Sequence, residues 1–160
     1  MSVVVSGGFD PIHIGHLRMF HEAKALSSEF TGKLIVIVNN DEFLMQKKGY
    51  VFMPFEERME IITGFKPVDT VIPSIDTDST VCETLKGLCE VTSNNIRTFA
   101  NGGDKKSKEH IPEAGVCEHY GIRLMFNVGG GKAQASSDLI DKVWKTIYEQ
   151  LSNKKLPPSR

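Results

Sequence analysis

Val3-Val4-Val5-Ser6-Gly7-Gly8-Phe9-Asp10-Pro11-Ile12-His13-Ile14-Gly15-His16 is the stretch that decides how the chain is read. A β-branched run over residues 2–6 stops at two glycines, the pattern of a buried strand entering a tight loop. Glycine lets backbone come close to a ligand. His13 and His16 flank Gly15, and a spacing of three turns both rings to one side of a first helical turn. The unpaired N–H groups and partial positive charge of that turn add to the imidazoles. Strand, glycine loop and histidine-bearing helix start together make an anion site suited to phosphates.

Strand and helix patterns alternate beyond it. Residues 17–26 carry Leu17, Phe20, Ala23 and Leu26 at helical spacing. Residues 33–38 form a near-continuous apolar strand, as in a parallel sheet covered on both faces. Residues 54–65 open on proline and predict a charged amphipathic helix, and 70–72 a short strand. A helix over 78–89 is capped by Asp78 or Ser79, and a strand follows over 95–99. A helix over 109–120 has Pro112 in its first turn and stops at Gly121. A strand over 122–126 and a helix over 136–151, capped by Ser136 or Ser137, complete the order. This alternation predicts an α/β fold, a doubly wound five-stranded parallel sheet with helices on both faces. Such sheets bind ligands beyond the carboxyl ends of their strands. Residues 1–151 read as one domain, and the Lys- and Pro-rich residues 152–160 as a flexible C-terminal tail.

The 160 residues are 40% apolar and 24% charged, enough for a single core. A formal net charge of −1 supplies no field for a nucleic-acid backbone. No apolar run approaches bilayer length and no signal-peptide pattern opens the chain, so neither a membrane nor a secretory route is expected. Cys82, Cys89 and Cys117 lack zinc or disulfide spacing and fit a reducing, cytoplasmic compartment. His21, His110 and His119 lack metal-ligand spacing, and no metal-binding set of side chains is expected.

Residues 7–16 resemble the GxFDxxHxGH signature of the HIGH-motif nucleotidyltransferase superfamily, in its cytidylyltransferase-like branch. The resemblance implies a Rossmann-like, HUP-type fold and in-line attack by an acceptor phosphate on the α-phosphorus of an NTP, with pyrophosphate leaving. It puts Gly8, Phe9, Asp10, His13 and His16 at the nucleotide, with His13 and His16 catalytic through charge stabilisation. Asp10 is also read as bracing the turn or lying near the metal. The tetrapeptide His13-Ile14-Gly15-His16 is shared with class I aminoacyl-tRNA synthetases, but no KMSKS-like segment follows.

Four further segments are similar to parts of that family. Residues 40–49 resemble the DEF…K region of glycerol-3-phosphate cytidylyltransferases, which implies a catalytic lysine, Lys47 or alternatively Lys48. Residues 54–58 with Val68-Asp69 resemble the "EER…VD" segment, which implies that Arg58 grips the acceptor phosphate while Asp69 is structural. Its helical neighbours three and four away are not acidic. Residues 99–104 resemble the turn near base and ribose, which implies Gly102 and Asp104 at the nucleotide. Asp104 alternatively orients Lys105 or caps the next helix. Residues 129–137 resemble the ISSTxxR segment, implying that Ser136 and Ser137 hold phosphate at a helix N-terminus. Ala135 replaces the pattern's Ile and no arginine follows the serines at the pattern's spacing, so Lys132, which stands before them, is the cation the resemblance implies at the nucleotide. Each segment taken alone also suits a structural part: a basic loop, a solvated arginine, a tight turn, an N-cap.

The resemblance favours transfer of CMP to a phosphorylated alditol or sugar. ATP with a sugar phosphate or pantetheine phosphate is the alternative, and a non-catalytic nucleotide-sensing module the alternative from another class. The expected partners are an NTP (CTP or ATP), Mg²⁺ carried mainly by the nucleotide, a phosphorylated small-molecule acceptor, and further copies of the chain as a homodimer or larger homo-oligomer.

Overall fold

The computed structural model describes residues 1–27, 32–91, 95–102, 108, 111–130 and 134–153, the last by its backbone alone. In chain order the elements are β1 (Ser2–Gly7), α1 (Ile14–Ala25), β2 (Leu34–Val38), α2 (Asp41–Lys48), α3 (Phe55–Thr63), β3 (Thr70–Pro73), α4 (Cys82–Glu90), β4 (Ile96–Ala100), α5 (Ala114–His119), β5 (Arg123–Met125) and α6 (Ser136–Asn153).

The strands form one five-stranded sheet in the order β3-β2-β1-β4-β5, with every pairing parallel. The apolar runs of β1 and β2 are buried on both faces, which is why they do not alternate with polar residues. Val3, Val5, Leu34, Val36 and Val38 pack on one side with Phe20 and Ala23 of α1 and Ile62 of α3. Val4, Ile35, Ile37 and Phe99 pack on the other with Leu85 of α4 and Cys117 of α5. The chain thus winds outward from β1 in both directions, and the order reverses between β1 and β4. That reversal leaves a crevice at the carboxyl ends of these strands.

The structure departs from the predicted elements in four places. Residues 41–48 are helical, where the sequence reading places no helix; Asn40 Oδ1 accepts the Phe43 N–H at 2.8 Å and Gly49 closes the helix at φ 81°. Asp78 does not cap α4. It folds onto Thr80 instead, and the buried Asp76 accepts the Glu83 N–H at 2.8 Å and the Thr84 N–H at 3.1 Å. Helix α5 begins at Ala114, with Pro112 ahead of it, and ends at Gly121 (φ 64°) as expected. Helix α6 continues through residues 152 and 153.

Candidate active site

The first loop closes on itself through the two histidines. His13 is the N-cap of α1: its Nδ1 accepts the Gly15 N–H at 3.1 Å, while His16 Nδ1 accepts the His13 N–H at 3.3 Å. This reciprocal capping box satisfies helix-end donors that would otherwise be unpaired. It also fixes chemistry. With both Nδ1 atoms accepting, each neutral imidazole carries its proton on Nε2, free to donate to an anion.

The rings stack 3.8 Å apart at 18°, and the Phe9 ring meets His16 edge-on at 5.0 Å. Burial pushes His16 down to about 3, with the His13 and Lys48 charges adding to it, and burial also lowers His13. His16 is therefore neutral at pH 7. Gly15 makes the arrangement sterically feasible, since a Cβ there would lie 3.0 Å from the His13 ring. A Cβ on Gly8 would lie 2.6 Å from Leu44 Cδ2, so that glycine lets α2 sit against the loop.

Asp10 is fully buried, and its two carboxylate oxygens accept the Phe52 N–H at 2.9 Å and the Met53 N–H at 2.6 Å. It braces the turn, as one of its sequence readings has it. Lys48 Nζ donates to the Asp10 carbonyl at 2.6 Å and lies 3.7 Å from its carboxylate. Burial lowers the Lys48 ammonium, opposed by Asp10. The neighbouring Lys47 is exposed, with Nζ 5.4 Å over the Phe43 ring. The lysine that reaches the first loop is thus the alternate, Lys48, because one helical residue step of about 100° separates the two directions.

Arg58 is not directed outward to a phosphate. It is fully buried; Nε donates to the Met53 carbonyl at 2.9 Å, Nη1 to the carbonyls of Gly8 (2.6 Å) and Asn39 (2.7 Å), and Nη2 to Asp41 Oδ1 at 2.5 Å. These contacts occupy the guanidinium from the protein side, so its geometry is that of a brace between the first loop, α2 and α3. Asp69 is structural, accepting from Leu34 N–H and Lys24 Nζ, both at 2.6 Å.

The last loop returns to the same place. Ser136 Oγ donates to the Pro11 carbonyl at 2.9 Å, and the Gln134 carbonyl is 3.8 Å from where a Gly15 Cβ would sit. Gly129 (φ 94°) lies where a Cβ would come within 2.8 Å of the Met19 backbone, and its N–H donates to Glu22. The N-terminus of α6 therefore sits beside that of α1. Ser137 is exposed on its first turn. Gly102 follows β4, while Gly103, Asp104, Lys105, His110 and Lys132 lie outside the described residues.

Two amides escaped the sequence reading as site groups. Asn39, at the end of β2, and Asn101, at the end of β4, have a buried Oδ1 and a buried Nδ2 without partners among the described residues. Unpaired buried polar atoms are costly, and here they lie at the carboxyl edge where the fold binds ligands. The signal available was an amide immediately after each apolar strand. Among the described residues no group of three or more His, Cys, Asp or Glu can hold a metal ion, and no helix is long and apolar enough to cross a membrane. Cys117 is buried and pushed up to about 12, so it is no nucleophile.

Comparison with known proteins shows the family. A family model described as cytidylyltransferase-like matches residues 4–120. The chain is 39% identical over 150 residues to FAD synthase of Thermococcus kodakarensis, covering 92% of this chain and 94% of that protein. It is 29% identical over 106 residues to glycerol-3-phosphate cytidylyltransferase of Bacillus subtilis, covering 66% and 74%. Among solved structures, the lipopolysaccharide core biosynthesis protein from Thermoplasma volcanium has the same fold, with a TM-score of 0.55 at 24% identity over 79% of this chain and 93% of that one.

Proposed function

The chain belongs to the cytidylyltransferase-like family of HIGH-motif nucleotidyltransferases, and from that premise we propose that it transfers AMP from ATP to a phosphate monoester, FMN before others, making FAD. The observation that carries the choice is the match to an FAD synthase along nearly the whole of both chains. It moves the preference from CMP, favoured by the sequence reading, to the adenylyl alternative.

In this reading an acceptor phosphate oxygen attacks the α-phosphorus while the bond to the β-phosphate breaks opposite it, and pyrophosphate leaves. Charge grows on the leaving oxygens. The Nε2–H groups of His13 and His16, the Lys48 ammonium and the N-termini of α1 and α6 meet that charge without rearranging. Mg²⁺ would be carried by the triphosphate and would neutralise its charge, while Asp10, buried with both oxygens accepting backbone N–H groups, keeps its bracing part. The free thiols support a reducing, cytoplasmic setting.

A second reading, CMP transfer to an alditol phosphate, is supported by the B. subtilis relative over a shorter span. The test is pyrophosphate release with Mg²⁺, pairing ATP or CTP with FMN, glycerol 3-phosphate, sugar phosphates and pantetheine phosphate. Release with ATP and FMN, with FAD as product, is the expected result. Release only with CTP and glycerol 3-phosphate overturns the adenylyl reading, and nucleotide binding without release from any pair favours a sensor.

A further inference from the structure

Three polar residues form a row across the carboxyl end of the sheet: Asn39 just after β2, Ser6 near the end of β1 and Asn101 just after β4. Side chains alternate along a strand, and Ile37, Val4 and Phe99, each two residues earlier, pack on the face shared with α4 and α5. The ladder continues through both asparagines. The Asn39 N–H donates to the Gly7 carbonyl at 2.9 Å and the Asn101 N–H to the Met125 carbonyl at 2.8 Å, so the alternation holds as far as the row. The row therefore lies on the α4 and α5 face, whereas α1, which carries the imidazoles, packs on the other. Both asparagine backbones are also held through their carbonyls, Asn39 by Arg58 Nη1 at 2.7 Å and Asn101 by the Val128 N–H at 3.0 Å. The side chains are left over. Among the described residues, Asn39, 5% exposed, has a buried Oδ1 with no donor, and Asn101 has a buried Nδ2 with no acceptor. The half-buried Ser6 hydroxyl has no partner among them either. We propose that this row recognises the uncharged polar part of the acceptor substrate, the imide edge of the FMN ring system, with Asn39 accepting its N–H and Asn101 and Ser6 donating to its carbonyls.

The inference rests on the adenylyl reading, in which the N-termini of α1 and α6 receive the leaving pyrophosphate on the α1 face. In-line attack comes from the side opposite the leaving group. The acceptor therefore approaches the α-phosphorus from the α4 and α5 side, where the row lies. The row holds two amides and a hydroxyl and no cation, so it suits a neutral group rather than a phosphate. Its unpaired amide atoms are one acceptor and one donor, the complement of an imide, whose N–H lies between two carbonyls. From β2 to β4 the row spans two strand spacings, about 10 Å. A fused ring system covers that span, and glycerol 3-phosphate, with its hydroxyls on adjacent carbons, does not. Unpaired buried amides lower the stability of the protein alone, and their fixed backbones let a ligand that pairs them bind without reordering the strand ends.

Steady-state kinetics of Asn39→Leu, Asn101→Leu and Ser6→Ala, with FAD as the measured product, test the row. For each leucine variant KM for FMN is expected to rise about tenfold or more, the loss falling on KM rather than kcat, with KM for ATP within about twofold of the parent. Ser6→Ala, at a half-buried position that tolerates the change, is expected to raise KM for FMN about threefold. The Tm of the leucine variants without ligand is expected to hold or to rise by about 2–4 °C, because each substitution removes an unpaired buried amide. A lower Tm with an unchanged KM for FMN marks the amides as structural and overturns the proposal. The assigned contact is read with FMN methylated at the imide nitrogen. The parent is expected to lose about tenfold in kcat/KM with that analogue and Asn39→Leu to lose nothing further, whereas equal losses in both overturn the contact. A rise in KM for ATP in place of FMN assigns the row to the nucleotide and overturns the proposal. FAD formation with parental KM in all three variants overturns the row and leaves the adenylyl reading standing. A parent that forms no FAD overturns that reading, and the row with it.

Discussion

Arg58 and Asp41 form an ion pair across α3 and α2, 2.5 Å from Nη2 to Oδ1, with the guanidinium fully buried and the carboxylate still open to water. The pair is the outer end of a hub whose inner contacts are the carbonyls of Gly8, Asn39 and Met53. Removing the arginine leaves those carbonyls buried and unpaired. Arg58→Ala is expected to lower unfolding stability by about 3–5 kcal/mol in urea titration. A variant with native stability and only a weakened acceptor KM returns Arg58 to the part of phosphate ligand.

Lys48 and Lys47 separate by direction. Lys48→Met is expected to lower kcat about 10²-fold or more, because it removes a positive charge beside His16, whereas Lys47→Met stays within about threefold of the parent. Pyrophosphate release by both variants checks this, and the reverse ranking sinks it.

His16→Asn is expected to cost at least about 10²-fold in kcat while the melt stays cooperative, since the loss falls on a group that stabilises the leaving charge. Loss of its share of the capping box costs about 1 kcal/mol. Near-parental turnover in that variant refutes the assigned role.

The same residue sets a pH dependence. His16 in the folded chain lies near 3, below its ordinary 6.5, so between these values the unfolded chain binds the extra proton. Its contribution to stability is complete above pH 6.5 and is lost as pH falls toward 3. Denaturant midpoints measured across that window are expected to fall less steeply for His16→Asn than for the parent.

Gly15→Ala sets helix propensity against site geometry. Alanine in a helix is favoured over glycine by about 1 kcal/mol, but its Cβ would lie 3.0 Å from the His13 ring. The expected result is a folded protein with turnover reduced about tenfold or more by a displaced imidazole. Unchanged turnover shows that the ring moves aside harmlessly.

The order of strands and most helices was legible because both-face burial writes itself as unbroken apolar runs, as in residues 34–38. Residues 41–48 were not, because a helix of barely two turns with only Phe43 and Leu44 buried carries too short a period to recognise. Asn40 as its cap was the readable clue. The histidine pair was legible from spacing within one turn. The bracing contacts of Arg58 were hidden for the opposite reason: its partner Asp41 is 17 residues away, and no helical spacing rule reaches that far. Asp76 displaced Asp78 as the group meeting the α4 amides because it comes from the end of β3, a relation that only the fold creates.

The three carbonyls gathered by Arg58 belong to three separate connections, after β1, after β2 and before α3. Anyone transplanting the stretch between β2 and α3 from a relative, to change what the crevice accepts, must therefore transplant a matched set. Asp41 and the Met53 carbonyl have to arrive at the same guanidinium, and the left-handed turn at Gly49 (φ 81°) has to keep its glycine. Segment and arginine are exchangeable together, as one heritable module.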